Sequence, residues 1–322
     1  MDLIYTDIHR NDVGVLRDFT FDLAFGADEN DFELIVDIGN HVCEANCLVY
    51  IEGTEYGGII DRISVVTKDE KLTYGGRSWH GILASKVIQP KGGEAYYTVK
   101  DEEANVAIGT LVDTLGLGDL FTASIEDSGL TITDYQFDRY VDAYLGIRKM
   151  LAQFGGKLRF VFTNGKVVLS AVPIVDYSQD EQFDNDNAEM TIEKSYNAVN
   201  HLICLGTGEL QGRLVVDLYR GRDGNLAEKQ VYFGIEEVVG VYDYPNAKSE
   251  EELRKSGEEK MLEMPNGNKI QLDFETEQNI YGIGDIVGAR DIVTDTFCTA
   301  KIIKKIVTID QGVVNIQYKV GE

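Results

Sequence analysis

The sequence predicts a mainly β protein with an α/β insert in its middle. Three observations lead to this prediction. Glycine accounts for 33 of the 322 residues and proline for only 4, apolar residues alternate near both ends of the chain, and helical spacing is concentrated between them. Glycine beside alternating apolar residues is typical of short strands joined by tight turns. We predict an N-terminal β domain at 1–92, an α/β insert at 93–165 and a C-terminal β domain at 166–322.

The N-terminal domain opens with two alternating segments. Apolar residues occupy every second position over 19–25 and again over 32–38. A strand with one buried face requires this period of two, so the segments predict an antiparallel pair. The same reasoning predicts further strands at 47–52, 59–66 and 71–75.

The N-terminal domain closes with a segment that we interpret as a structural anchor, formed by Arg77, Ser78 and Trp79. Ser78 is placed to cap a short helix, and Pro90 ends regular structure after it. Trp79, the only tryptophan, is expected to bury apolar area while Arg77 pairs with an acid. A binding site formed by these residues together with His80 is the weaker alternative.

Two helices and a hairpin are predicted for the insert. Apolar residues at helical spacing over 104–115 follow three acidic residues, and a second helix is predicted from about 138 to 154. Asn164-Gly165 lies between two alternating segments and favours the positive φ angles of a two-residue hairpin turn.

The C-terminal domain is predicted to consist of strands with one exposed loop and one short helix. Residues 176–189 hold six acidic residues and no basic one, which indicates a solvated loop. Ser249 begins a capping-box pattern, so we predict a short charged helix at 249–262 that Gly257 weakens. Strands are predicted at 212–219 and 228–233, around an Asp223-Gly224 turn, and at 299–309 and 313–320.

Composition disfavours several classes of protein. Fifty-five acidic against thirty basic residues give a net charge of −25, which is unfavourable for binding phosphate backbones. Four cysteines are too few for a disulfide scaffold. The chain has no long apolar run and no basic segment at its N-terminus, so we expect a soluble protein that is neither inserted in a membrane nor exported by the usual route.

Metal and cofactor sites are weakly supported. His41, Cys43 and Cys47 would share one face of an unbroken strand and could bind zinc or form an oxidisable thiol pair. No fourth ligand is evident, so half-buried strand residues are the favoured interpretation. Packing is also favoured for His201 and Cys204. No cofactor is predicted, although loose binding of ions by the acidic loop stays open.

The sequence contains no motif of a known hydrolase nucleophile or metalloprotease. The Gly-x-Gly patterns at 206–208 and 282–284 lack the residues of a phosphate-binding loop and are interpreted as turns. A pair of catalytic carboxylates, as in glycosidases, leaves no local signature. A carbohydrate-active enzyme or lysin that uses such a pair is therefore kept as an alternative.

Several segments together resemble a known family in their order and spacing. They resemble the hub-type tail proteins of phages and prophages, which include baseplate hub-like and siphophage Gp37-like tail proteins. The segments are 59–63 with 72–83, 197–209 with Arg213, 281–288, 300–302 and 312–321.

The resemblance implies a structural role without catalytic residues. Proteins of this kind form homotrimers in which two related β-barrel domains per subunit build a pseudo-sixfold ring. The ring connects the tail tube to the tip or fibre proteins. Implied partners are a tube or distal tail protein, a tape-measure protein, and tip or fibre proteins, with DNA passing an acidic lumen without specific binding. We expect assembly in the host cytoplasm, location in the virion tail, and any lysin to be a separate protein.

Overall fold

The computed structural model of the chain describes residues 2–68, 70–178, 182–183, 189–194, 197–222, 224–264, 268–276, 280–294 and 296–321. The fold is mainly β, as predicted. The chain divides into two compact units. The first comprises Met1–Glu189, Leu272–Gly288 and Thr299–Gly321, and the second comprises Met190–Gln271 and Ala289–Cys298.

The strands are β1 Leu3–Thr6, β2 Asp12–Leu16, β3 Thr20–Gly26, β4 Asp31–Asp37, β5 Leu48–Tyr50, β6 Gly57–Val66, β7 Lys71–Ser78, β8 Val87–Ile88, β9 Thr98–Glu103, β10 Phe121–Ala123, β11 Thr131–Gln136, β12 Val141–Asp142, β13 Gly156–Thr163, β14 Lys166–Pro173, β15 Gln182–Phe183, β16 Glu189–Lys194, β17 His201–Leu205, β18 Val215–Arg220, β19 Leu226–Ala227, β20 Val239–Asp243, β21 Asn268–Thr276, β22 Ile286–Asp291, β23 Thr296–Asp310 and β24 Val313–Gly321. The α-helices are α1 Trp79–Ala84, α2 Ala104–Thr114, α3 Ala143–Gln153 and α4 Glu250–Glu263. Short 3₁₀ helices lie at Ile38–Asn40, Leu210–Gly212 and Gly234–Glu236.

The main sheet of the first unit contains strands from both ends of the chain. Its order includes β24, β23, β3, β4, β7, β6, β5, β1 and β2, all joined antiparallel. The predicted pair of alternating segments is confirmed, since β3 and β4 pair with Leu23 opposite Phe32 and both side chains buried. Within the described residues the order is an open path that ends at β2, and no closed barrel is found.

Strand pairing brings the two ends of the chain into one sheet. β23 pairs with β3, so Lys304 lies opposite Gly26 and Asp310 opposite Thr20. The predicted boundary after residue 165 falls inside the hairpin of β13 and β14. An alternating strand shows which of its faces is apolar but not which strand it pairs with, so the sequence did not predict the pairing of β23 with β3. The division into three domains stays a prediction.

The predicted helical insert packs on a small sheet in the first unit. Its order is β10, β14 and β13, with β10 parallel to β14. The hairpin of β13 and β14 is confirmed, and its turn residues Asn164 and Gly165 have φ angles of 52° and 74°. Apolar side chains of α2, α3, this sheet and Trp79 belong to one continuous core.

The two helices of this insert differ in how well their bounds were predicted. α2 begins after Glu103, whose carboxylate accepts a hydrogen bond from the amide of Val106 at 2.9 Å. α3 begins at Ala143, five residues later than predicted. The delay arises because Asp142 caps the helix by accepting from the Leu145 amide at 2.8 Å, while Val141–Asp142 pairs as β12 with β8.

The second unit contains a four-stranded sheet and α4. The sheet order is β19, β18, β17 and β20. Ser249 caps α4 as predicted, since its hydroxyl accepts a hydrogen bond from the Glu252 amide at 3.2 Å. The Glu252 carboxylate accepts from the amide of Lys248 at 2.9 Å, one residue before the position that a capping box uses. Buried apolar residues of α4 and the sheet form a separate core, made of Leu202, Cys204, Val216, Leu218, Ala247, Leu253 and Met261.

One strand predicted for the second half of the chain is wrong. Residues 228–233 form no strand: β19 ends at Ala227, after pairing with β18, and the residues that follow are irregular. Asp223 of the predicted turn lies outside the described residues, as do residues 179–181 and 184–188 of the predicted acidic loop. Binding of ions by that loop therefore stays a prediction.

Candidate functional site

The predicted anchor lies where β7 passes into α1. The Ser78 hydroxyl caps α1 by accepting from the Gly81 amide at 3.3 Å. The Arg77 guanidinium forms two hydrogen bonds of 2.8 Å to the Asp61 carboxylate on β6. These bonds lower the pKa of Asp61. The pair joins two neighbouring strands on the solvent side of the sheet.

Trp79 lies on the opposite, apolar side of this junction and is fully buried. Its ring stacks on Phe162 of β13, with centroids 5.2 Å apart and an interplanar angle of 10°. A Cβ atom at Gly57 would come within 2.6 Å of the indole, so glycine is required there for the ring to fit. Trp79 thus connects the main sheet to the small sheet of the helical insert.

A buried polar cluster lies in the core of the first unit, and sequence reasoning missed it. Lys305 of β23 is only 1% exposed, and its ammonium group lies 2.5 Å from Oε1 of Glu55. The rings of Phe25, Tyr56 and Tyr318 surround the same ammonium group at 5.6 to 5.7 Å. A cation that leaves water requires such compensation by an acid and by aromatic faces.

His80 belongs to the same cluster and is held in its neutral form. Its ring lies parallel to Phe25 at 4.2 Å, and its Nε2 atom is 3.9 Å from Glu55. Complete burial, followed by the charges of Lys305 and Arg148, lowers the pKa of His80 well below its usual value. The cluster therefore binds the C-terminal strand to the N-terminal part of the sheet without a titrating histidine.

Two strand edges of the main sheet are open and apolar. β6 pairs with β5 only through residues 57–59, and a bulge at Asp61 separates this part from the rest of the strand. Beyond the bulge, no described strand pairs with the outer edge of residues 62–66, where Ile63, Val65 and Val66 are exposed. β2 ends the sheet order and exposes Val13 and Val15.

The weak metal candidates do not share the face that the sequence suggested. The chain forms a 3₁₀ helix at Ile38–Asn40, and β5 begins only at Leu48, so no strand runs through His41, Cys43 and Cys47. His41 is exposed, whereas both thiols are buried. Burial, with a smaller contribution from the nearby Cys47, raises the pKa of Cys43 to about 12. Among the described residues, no three side chains of ligand type group around one point.

In the second unit, His201 and Cys204 have different environments. Cys204 is buried in the core beneath α4. His201 lies between two carboxylates, with Nδ1 2.7 Å from Glu237 and Nε2 2.9 Å from Asp217. Partial burial favours the neutral ring, but the hydrogen bonds and charges of the two acids outweigh it and raise the pKa of His201. Packing alone therefore does not describe this histidine.

The two Gly-x-Gly segments form turns. Gly208 and Gly284 have φ angles of 101° and 100°, a region that favours glycine. Next to the second turn, Asp285 is fully buried and its carboxylate lies 2.5 Å from the Lys157 ammonium group. Asp285 also accepts hydrogen bonds from the amides of Val175 and Gly282. The second turn is therefore held by an internal carboxylate.

This mainly β fold is similar to the folds of several solved phage tail proteins. The 43 kDa tail protein of prophage MuSo2 from Shewanella oneidensis is similar with a TM-score of 0.61 and 12% identity, over 99% of this chain and 98% of that chain. Prophage tail protein gp18 from Listeria monocytogenes EGD-e has a TM-score of 0.60 and 12% identity, over 99% and 94% of the two chains.

A tail protein from Neisseria meningitidis MC58 is similar with a TM-score of 0.55 and 11% identity, over 100% of this chain and 96% of that chain. No protein-family model matches the sequence, and neither does any curated protein. The resemblance to phage tail proteins that the sequence suggested is thus confirmed at the level of the fold.

Proposed function

We propose that this chain is a structural component of a bacteriophage or prophage tail, a hub protein of the tail tip or baseplate. The observation that carries the proposal is the similarity in fold to tail proteins along almost the whole length of each chain. A shared local motif would be weaker support, since single motifs recur on unrelated proteins.

The hub acts by assembly: three subunits form a pseudo-sixfold ring that connects the tail tube to the tip or fibre proteins. The open edges of β6 and β2 support this proposal, because exposed apolar edges in a monomer are sites of uncontrolled pairing. A head-to-tail ring brings an edge of one subunit to a different surface of the next and repeats the contact until it closes.

A pseudo-sixfold ring of three subunits requires two comparable β surfaces in each subunit. The family resemblance implies that two related β-barrel domains supply these surfaces. Strands from both chain ends lie side by side in the main sheet, so each end of the chain contributes strands to one surface. We propose that these two sets of strands supply the repeated surface.

The acidity of the chain suits a protein that surrounds DNA without binding it. A net charge of −25 repels the phosphate backbone, so a lumen lined by acids would allow DNA to slide. The proposed neighbours are a tube or distal tail protein, a tape-measure protein, and tip or fibre proteins. The proposed location is the virion tail, after assembly in the host cytoplasm. Within the described residues, no helix has the length and apolar character to cross a bilayer.

We propose that the hub has no enzymatic activity of its own. A glycosidase-type acid needs a carboxyl group whose pKa is raised. The described carboxyl groups with a clear shift, Asp7, Glu29, Asp61 and Glu103, all have lowered pKa values because of the hydrogen bonds that they accept. No contact among the described residues specifically favours the alternative, a lysin with paired carboxylates.

Size-exclusion chromatography with light scattering, combined with a cell-wall hydrolysis assay, tests this proposal. We expect a particle of three 35.9 kDa subunits and no release of peptidoglycan fragments. A monomer that hydrolyses cell wall would contradict the proposal and support the lysin.

A further inference from the structure

A groove in the first unit lies between α2 and the segment that follows β10. Its volume is about 730 Å³. The groove is lined by Gly109 of α2 and Ala123 of β10, and a Cβ atom at Gly109 would lie in ordinary contact, 3.5 Å from the Cβ atom of Ala123. Two apolar side chains that line the groove are exposed to solvent: Val106 is 56% exposed and Ile125 is completely exposed.

One wall of the groove is the outer edge of β10, which ends the small sheet. Two backbone hydrogen bonds at the ends of β10 connect it to β14. The Val167 amide donates to the Leu120 carbonyl at 2.9 Å, and the Ser124 amide donates to the Leu169 carbonyl at 2.7 Å. Because backbone groups alternate along a strand, the amide of Ala123 points away from β14. No described strand pairs with this edge.

The charges at the groove all have one sign. Glu103, Asp113, Glu126 and Asp127 line it, and none of the other lining residues is a lysine, arginine or histidine. Burial acts to raise the pKa of Glu103, but hydrogen bonds from the Ser128 hydroxyl and from the backbone amides of Asn105, Ser128 and Val106 outweigh it and lower the pKa. The groove therefore combines an open strand edge, exposed apolar side chains and an acidic rim.

We propose that this groove binds an extended segment of a partner protein that carries lysine or arginine at alternate positions. The segment adds as a strand along β10, with its apolar side chains against Val106 and Ile125 and its cations at the acidic rim. A different protein is favoured as the occupant, because the acidic rim requires a segment rich in cations and this chain holds 30 basic against 55 acidic residues. The residues that line the groove lie outside β2 and β6, whose open edges are proposed to join the subunits. The inference therefore goes beyond the proposed function.

The experiment titrates a fluorescent peptide, Lys-Val-Lys-Val-Lys-Val with blocked ends, into the full chain and follows fluorescence anisotropy. We expect saturable binding that weakens about tenfold in the double variant Asp113→Asn/Glu126→Gln. The matched control Asp119→Asn/Asp134→Asn removes the same charge outside the groove and should bind like the wild type. Circular dichroism verifies that all variants are folded.

A second probe separates strand addition from simple charge attraction. The same peptide with alternate amides N-methylated keeps its cations but cannot hydrogen-bond along a strand edge, so it should not bind measurably. The proposal is overturned by equal binding of the two peptides, by equal weakening in both double variants, or by no saturable binding up to about 1 mM. The subunit mass in solution is measured separately, so failure here leaves the test of the proposed function intact.

Discussion

At the scale of single residues, the most informative feature is the ion pair that Lys305 and Glu55 form in the core of the first unit. Lys305 is compensated by Glu55 and by three aromatic rings, and the neutral His80 adds a second polar group without a second charge. Burial of an ion pair costs desolvation, so such a pair specifies an arrangement more than it stabilises one. Here the arrangement is the position of β23 beside β3.

Removal of one member of this pair should therefore be costly. Lys305→Met leaves Glu55 without its cation and is expected to reduce the free energy of unfolding by about 3 to 5 kcal/mol. The double variant Lys305→Met/Glu55→Gln should recover most of the loss. The control Lys71→Met breaks the pair with Asp37, in which both side chains are more than half exposed, and should cost about 0 to 1 kcal/mol. Urea denaturation measures all three, and equal losses for Lys71→Met and Lys305→Met would refute the interpretation.

Trp79 gives a second prediction at this scale. Trp79→Ala leaves a cavity against Phe162 and is expected to reduce the free energy of unfolding by about 3 to 5 kcal/mol. Trp79→Phe should lose less, because the indole Nε1 has no hydrogen bond to lose. The exposed Tyr140→Ala serves as the control. Near-wild-type melting of Trp79→Ala would contradict the anchor role.

His201 should make the stability of the fold depend on pH. Its folded-state pKa is raised above the unfolded value of about 6.5, so its contribution is complete below that value and is lost as pH rises through the folded pKa. The stability gap between wild type and His201→Gln should accordingly be larger at about pH 5.5 than at about pH 8.5. The control His9→Gln changes an exposed histidine. A gap that stays constant, or grows with pH, would exclude the Asp217 and Glu237 contacts as its source.

At the scale of elements, α4 shows how packing can reverse the meaning of a residue. The sequence analysis treated Gly257 as a weak point of the helix. In the structure, a Cβ atom at Gly257 would come within 2.4 Å of the Cys204 sulfur and 2.8 Å of Leu218, so glycine lets the helix lie close to its sheet.

Gly257→Ala is therefore expected to destabilise the protein by about 1 to 3 kcal/mol, although alanine favours helices by about 1 kcal/mol. Lys255→Ala, at an exposed position of the same helix, should change stability little. Adding Cys204→Ala to Gly257→Ala should relieve part of the clash. Thermal melting tests this, and a higher melting temperature for Gly257→Ala would show that the contact is unimportant.

Elements fixed by neighbouring residues could be predicted from the sequence, and elements fixed by distant contacts could not. The Ser78 cap, the Asn164-Gly165 turn and the start of α4 depend on interactions within four residues. The pairing of β23 with β3 joins residues almost 300 positions apart, and the sequence of neither strand indicates which strand it pairs with. The start of α3 was predicted too early because Val141 and Asp142, directly before the helix, pair with β8 as strand β12.

The candidate site shows the same division. Arg77 and Trp79 were identified because their residue types are distinctive at the end of a strand. Lys305 was missed because it follows Lys304 in a segment that reads as an ordinary exposed strand. Only the three-dimensional packing reveals which of two adjacent lysines is buried.

At the scale of the whole molecule, the open edge of β6 should decide whether subunits assemble. Val65→Lys places a charge on this edge and is expected to shift the particle from trimer to monomer with little change in the melting of the subunit. Val293→Lys makes the same change at a position that is 87% exposed in the second unit, and should leave the trimer intact. Sedimentation velocity distinguishes these results. An unaffected trimer in Val65→Lys would remove β6 from the interface.

Electron microscopy of the purified chain tests the proposed hub role most directly. Averaged images should show a closed ring of three subunits with a sixfold-like outline around a central opening. Isolated single subunits at every protein concentration, together with a deep cleft lined by facing acids, would contradict a role in tail assembly.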